Sequence, residues 1–423
     1  MGLVAIIFWY LAYRKRHLQA NSCEQVVQIQ VTSADPAVCA RIIACTGYDN
    51  TGAKNLYSDV ESRAIPNQRL VRAFGIDNSF TTREAQRRKD FNKEAVRRIK
   101  MTETQWQEVA RYAQELVRQA VSPSNLTTVG QTESVTLDSL VRSVCLKIVL
   151  HVLFNLDPLE MDCGNILTIT ESINTLWIQS KGTGLPVESD KHGLLEALAG
   201  ILPKWDRSKP HENPLNMIIP AYETLWRVVL SGFVQVTFVK GGSPSLRYIL
   251  AHFLANPTVT ARKEIGHGPE ASAVSVEHIV KEALRLYPSV KRVYRQFHMD
   301  NAAEPVDVTA DIKAYQRTKA IWGADAERFI PSRWVNTSDG ARTTYMNFGV
   351  HPFVCPAKAE FGPMMIGILV AAFTDNLSSE DWDLRLGEKS SDAAQCDFDK
   401  ALSGEQPLES DRSTYEGIRI MKK

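Results

Sequence analysis

Apolar residues recur at helical spacing through most of the chain, and stretches of strict alternation are few and short. Residues 104–120 and 137–154 carry apolar side chains three and four apart and predict two amphipathic helices, the second largely buried. The pattern continues through residues 166–177 and 192–205, with polar turns between. Near-alternating β-branched residues at 25–32 predict a strand. Asp35-Pro36 then supplies an N-cap and a first-turn proline for a helix through Ile43. Residues 46–80 are rich in Gly, Asn, Asp and Ser and read as a long loop, functional or disordered, with room for one helical turn. Farther on, residues 276–288 form a helix stopped by Pro288, residues 291–295 a strand, residues 310–317 a short helix and residues 381–386 a strand. The remaining tail is polar, with apolar positions near residues 418–421.

Three stretches depart from plain core patterning. The longest apolar run, residues 214–239, contains Pro220, which removes a ladder hydrogen bond and crowds the carbonyl of Asn216, so the helix must bend there. Thr224 can bond back to the carbonyl near Pro220, and Glu223 places an ionisable group beside the opening. A capped break between two helices explains the same residues. Residues 82–100 hold Arg83, Arg87, Arg88, Lys89, Arg97 and Arg98 at helical spacing, either as a solvated face or as guanidiniums offered to carboxylates or phosphates. The third stretch runs from Tyr345 to Ala357 and contains Phe348-Gly349, His351, Phe353 and Cys355-Pro356. Proline suits the first position of a helix, which puts Cys355 at the N-terminus of the apolar segment 361–373. Unpaired amides and the helix dipole there would lower its pKa and favour a thiolate, competent for metals or redox chemistry.

Composition narrows the choices. Lysine and arginine number 49 against 48 acidic residues, which removes the electrostatic case for nucleic acid. Seven cysteines without paired spacing argue against a disulfide framework or a zinc site and for a reducing compartment. Residues 2–13 are apolar and are followed by Arg14-Lys15-Arg16-His17. Twelve helical residues reach about 18 Å, less than a bilayer core, so residues 1–20 read as a short membrane anchor with the body, residues 21–423, on the cytosolic side.

In order along the chain, Glu223-Thr224, Glu282-x-x-Arg285, Phe329-x-Pro331-x-Arg333-Trp334 and Phe348-Gly349 with Cys355-x-Ala357 resemble the cytochrome P450 family of haem-thiolate monooxygenases, most closely its fungal microsomal members. The resemblance covers residues 35–373 and implies the cytochrome P450 fold, mainly α with a small β-rich lobe. It implies haem b with Cys355 as axial thiolate, Phe348 packed beside that ligand, Gly349 in its loop and Ala357 letting the next helix approach. Glu282, Arg285 and Arg333 match a buried structural triad, and Arg87 and Arg295 match arginines that clamp haem propionates. Thr224 would hydrogen-bond dioxygen and Glu223 would relay protons.

The implied partners are an NADPH-cytochrome P450 reductase, an apolar small-molecule substrate and, through the anchor, the endoplasmic reticulum membrane. No dinucleotide fingerprint follows a strand, so the electrons come from another protein. His351 stands where the family has glycine, Phe353 where it has a basic residue, and Ala221 where it has glycine. A Cβ at position 351 would be strained at positive φ, Phe353 would give up a propionate contact, and Pro363 would kink or restart its helix. A decayed relative with weak haem binding, or a haem-thiolate isomerase or dehydratase, are the alternatives.

Overall fold

A computed structural model describes residues 30–423 except 50, 130–131, 183–186, 267–273, 388–389 and 414. The anchor expected at residues 1–20 and most of the strand expected at 25–32 lie outside the described residues. That strand's described part is β1, Gln30–Ser33.

Asp35 caps α1 (Pro36–Ala44) through its side chain, as its position before proline predicts. The region expected as a long loop instead contains α2 (Asp59–Phe74), sixteen residues entered by a reciprocal capping box between Ser58 and Glu61. Its polar surface and Pro66 mask a buried stripe of Val60, Ala64, Leu70 and Phe74. The basic stretch is α3 (Ala85–Ile99), which buries no residue fully. Then come α4 (Glu103–Ala120), the strands β2 (Thr127–Val129) and β3 (Thr132–Thr136), and α5 (Leu137–Phe154). Next are α6 (Cys163–Gln179) and α7 (Glu188–Ile201), packed against each other.

The long apolar run is two helices, α8 (Leu215–Tyr222) and α9 (Leu225–Thr237), meeting at Glu223 and Thr224. Pro220 cannot donate to the carbonyl of Asn216, and the buried Asn78 side chain donates to it instead at 3.1 Å. Leu215–Thr237 is the one stretch among the described residues long and apolar enough to cross a membrane, and it is largely buried in the protein.

The chain continues through α10 (Pro244–Ala255), α11 (Val259–Lys263), α12 (Val276–Leu286), β4 (Arg292–Phe297) and β5 (Val306–Asp311). Short helices α13 (Ile312–Gln316), α14 (Lys319–Trp322) and α15 (Asp339–Thr343) lead to α16 (Phe361–Asn376). From Phe361 to Thr374 every residue of α16 but Gly362 is buried, and the helix packs on α4, α9, α10 and α12. Pro363 sits in its first turn, where no ladder bond is lost, so it neither kinks nor restarts the helix. The polar tail holds a helix absent from the sequence expectation, α17 (Asp392–Leu402), between β6 (Trp382–Arg385) and β7 (Arg419–Lys422).

Two small sheets flank this helical body. In one, β5 lies between β1, parallel, and β4, antiparallel. It packs with α1 around Ile42, Phe297, Val308 and Tyr315, a separate small core that matches the expected β-rich lobe. The other is antiparallel, in the order β2-β3-β7-β6.

Candidate haem-thiolate site

Cys355 ends a tight turn. Gly349 adopts φ +73°, and a Cβ there would lie 2.5 Å from the Phe353 carbonyl, so glycine is required. The strain anticipated at His351 does not arise, because the left-handed position falls at Gly349 and His351 is absent from the positive-φ residues. The Cys355 amide donates to Phe348 O at 2.8 Å and closes the turn. Gly362 lets the Phe348 ring seat itself, since a Cβ there would be 2.8 Å from Cε1.

Cys355 does not cap the long helix. A short 3-10 turn, Pro356–Lys358, intervenes before α16 begins at Phe361. Its thiol pKa is accordingly raised rather than lowered: burial outweighs the Ala357 amide and the Arg63 charge, which pull it down. The thiol nevertheless has accessible surface. Among the described residues no three His, Cys, Asp or Glu side chains gather as a metal site. A metal held by Cys355 must bring its other ligands with it, as a porphyrin does, and a coordinating cation deprotonates a thiol outright.

Three arginines meet at the ring of Phe353, two residues before the cysteine. Arg63 and Arg88 lie 4.8 Å from its centroid and Arg295 lies 5.4 Å away. Burial pushes the Arg63 guanidinium down to about 9, helped by the charges of Arg295 and Arg88 and opposed by Cys45 and Cys355. Arg295 is pinned by the end of α1: Nε donates to Cys45 Sγ at 3.0 Å and Nη2 to Ile43 O at 3.0 Å. Arg88 donates to Pro352 O at 3.2 Å. The expected clamp Arg87 is not part of this cluster. It is turned to Asp77 at 3.1 Å, because consecutive helix residues point in different directions. Arg63 was hidden by the loop assignment of residues 46–80; with Ser58-x-x-Glu61 read as a capping box, it falls on a helix.

The Glu282 carboxylate is fully engaged. Oε1 accepts from Arg285 Nη2 at 2.8 Å, Arg333 Nε at 2.9 Å and the Ile330 amide at 2.9 Å; Oε2 accepts from Arg285 Nε at 2.8 Å and Trp334 Nε1 at 2.9 Å. Arg285, wholly buried, also donates to the carbonyls of Gln316, Ala326 and Arg328 at 2.8, 2.6 and 3.2 Å. The network ties α12 to the segment before the cysteine turn.

At the helix break Thr224, half-buried, donates its hydroxyl to Pro220 O at 3.1 Å. Ala221 beside it is half-buried as well. Glu223 is 1% exposed, and both its oxygens are held by Arg412, from the tail, with Arg227 Nη2 at 3.7 Å. Asn174 accepts from the same Arg412 at 3.0 Å. No sequence signal could have paired residues so far apart.

The fold built around this site is that of the cytochromes P450. A six-coordinated cytochrome P450 from Thermus thermophilus superposes with a TM-score of 0.53 at 16% identity, over 83% of this chain and 92% of that one. CYP154A1 from Streptomyces coelicolor A3(2) does so with a TM-score of 0.54 at 14% identity, over 90% and 92%. No family model matches the chain. Curated relatives include cytochrome P450 714A2 of Arabidopsis thaliana, 28% identical over 248 residues, 53% of this chain and 43% of the relative. Others are the putative cytochrome P450 cyp-13B1 of Caenorhabditis elegans, 28% identical over 23% of this chain and 21% of the relative, and the cytochrome P450 monooxygenase buaD of Petromyces alliaceus, 30% identical over 24% and 23%. These matches span less than half the length of each relative, and they come from plant, nematode and fungus alike. The fold is thus that of the cytochromes P450, and the curated relatives that the chain resembles are themselves cytochromes P450.

Proposed function

We propose that the chain is a haem-thiolate monooxygenase, holding haem b through Cys355 and inserting one oxygen atom from O2 into an apolar small molecule. Electrons would come from NADPH through a separate NADPH-cytochrome P450 reductase. The observation that carries this reading is one accessible cysteine beside three arginines that no carboxylate neutralises among the described residues. Bound haem would supply the activation of dioxygen, and thiolate ligation favouring O–O cleavage is a property of this enzyme family at large rather than one read from this chain.

The chain's own residues would do the rest. Gly349 and the Ala357 amide aim the Cys355 sulfur, and Phe348 covers it. The Glu282, Arg285 and Arg333 network fixes the segment that leads into the turn. Thr224 would turn its hydroxyl away from Pro220 O and offer it as a hydrogen-bond donor to bound dioxygen. Glu223, clasped by Arg412, acts first as an anchor for the tail, and it relays protons only when Arg412 releases it. An anchor at residues 1–20 would hold this body on the cytosolic face of the endoplasmic reticulum membrane, a reading supported by the apolar run and the basic cluster after it.

A haem-thiolate dehydratase is the second reading. It is favoured by the engagement of Glu223 and by a relative described as an indoleacetaldoxime dehydratase of Arabidopsis thaliana, 28% identical over 26% of this chain and 23% of the relative. Substrate-dependent NADPH oxidation with added reductase separates the two. A monooxygenase consumes NADPH in step with product, and Thr224→Ala keeps consuming it while product falls about 10²-fold. Equal coupling in both proteins would remove the role of Thr224, and product formed without NADPH would favour the dehydratase.

A further inference from the structure

We infer that Phe353 is a positioning residue whose ring gathers Arg63, Arg88 and Arg295 into a receptor for the paired carboxylates of haem, with Arg63 as its third cation. The inference rests on the haem-thiolate reading and goes beyond it in assigning how this chain holds the acidic edge of the group.

Three like charges do not collect around one ring without a cause. Phe353 is buried, yet the three guanidiniums stand 4.8, 4.8 and 5.4 Å from its centroid. Electrostatic attraction to an aromatic quadrupole is strongest where water is excluded, and it offsets part of the repulsion between the cations. The other partners of the cluster are neutral. Arg295 donates to the carbonyls of Tyr294 and Ile43 and to the Cys45 sulfur, Arg88 donates to Pro352 O, and Arg63 also lies over Phe80 at 4.6 Å. No ion pair with Asp or Glu involves any of the three among the described residues, whereas neighbouring Arg87 has Asp77. Arg88 keeps a buried Nε without a partner.

The fold brings these cations from three separate elements, α2, α3 and β4, and the Phe353 side chain is what they share. Each holds an outward commitment that fixes it: α1 grips Arg295, the cysteine turn grips Arg88, and Phe80 grips Arg63. Guanidiniums bind carboxylates through paired N–H donors, so three of them can take two carboxylates at once. The aromatic residue that lacks a charge of its own thus serves recognition by organising charges from elsewhere.

The test titrates haem-stripped full-length protein with haemin and with haemin dimethyl ester, whose carboxylates are masked, following the Soret band. Wild type should prefer haemin by at least about tenfold. Arg63→Gln and Phe353→Leu should each lose most of that preference through weaker haemin binding, with ester binding nearly unchanged. Phe353→Tyr, which restores the ring, and Arg63→Lys, which restores the charge, should recover much of it, and Arg87→Gln should match wild type. Unchanged binding of the ester also shows that a variant is folded. If haemin and ester bind wild type equally, or if Arg63→Gln keeps the full preference, the inference is wrong while the haem reading stands. A wild type that binds neither ligand overturns both.

Discussion

Replacing Arg285 with methionine removes a side chain that is wholly buried and makes five hydrogen bonds. Methionine fills similar volume but donates nothing. Glu282 is not thereby left alone, since Arg333, the Ile330 amide and Trp334 still donate to it, each at 2.9 Å. Arg333 remains as the counter-ion of Glu282 at 2.9 Å. The cost falls instead on the carbonyls of Gln316, Ala326 and Arg328, each worth about 1–3 kcal/mol when buried without a donor. Allowing for partial relaxation, the variant should lose about 4 kcal/mol, a large part of the roughly 5–15 kcal/mol that holds a typical protein folded.

Glu282→Gln should cost a similar amount for a different reason. It leaves the wholly buried Arg285 guanidinium without its counter-ion, while Arg333 keeps Asp325 at 3.3 Å, a penalty of about 3–5 kcal/mol. Arg285→Lys should fall short of wild type too, because one ammonium cannot span carboxylate and carbonyls together. Urea unfolding followed by tryptophan fluorescence reads all three, with Trp322 and Trp334 lying against the network. An Arg285→Met protein within about 1 kcal/mol of wild type would refute the reasoning, because it would mean that the three carbonyls are satisfied some other way.

Two other outcomes follow from neighbouring features. His278 Nδ1 accepts the Ser275 amide at 3.3 Å at the start of α12, and burial lowers its pKa below the usual value. The neutral ring is the one that caps, so this stability is present above about pH 6.5 and is lost as pH falls toward the folded-state pKa. His278→Gln, which caps without titrating, should flatten the difference in stability between pH 7 and pH 5.5 by up to about 1 kcal/mol, and an unchanged pH profile would contradict this. Arg412→Met leaves Glu223, among the described residues, with the Arg227 contact at 3.7 Å and should cost about 3 kcal/mol. Hydrogen exchange should rise in the tail segment that carries residue 412, whereas unchanged protection there would show that the ion pair does not hold the tail.

Local signals in this chain were legible where they dictate backbone geometry. Asp35-Pro36 announced α1, the apolar spacing delimited α5 as Leu137–Phe154, and Pro220 with Thr224 marked the division between α8 and α9. The elements that carry less hydrophobic signal were missed. The helix α2 buries only a narrow stripe beneath polar residues, and α17 buries only Phe398 and Ala401, so periodicity was faint in both. Missing α2 meant missing Arg63. That Arg87 turns to Asp77 while Arg88 turns to Phe353 follows from rotation about the helix axis, which a string of adjacent arginines does not disclose. The Cys355 thiol was read from its local turn, whereas its pKa follows from how much protein surrounds it. The clasp of Arg412 on Glu223 joins residues 189 apart in sequence, and no local pattern encodes it.

The central claim is that Cys355 presents a thiolate to haem iron. Its most direct test is the absorption spectrum of the reduced, purified protein under carbon monoxide, compared with that of Cys355→Ser. A strongly red-shifted Soret band in wild type that disappears in the variant is the predicted result. A well-folded wild type with no haem absorption, or one whose band is the same in both proteins, would contradict it.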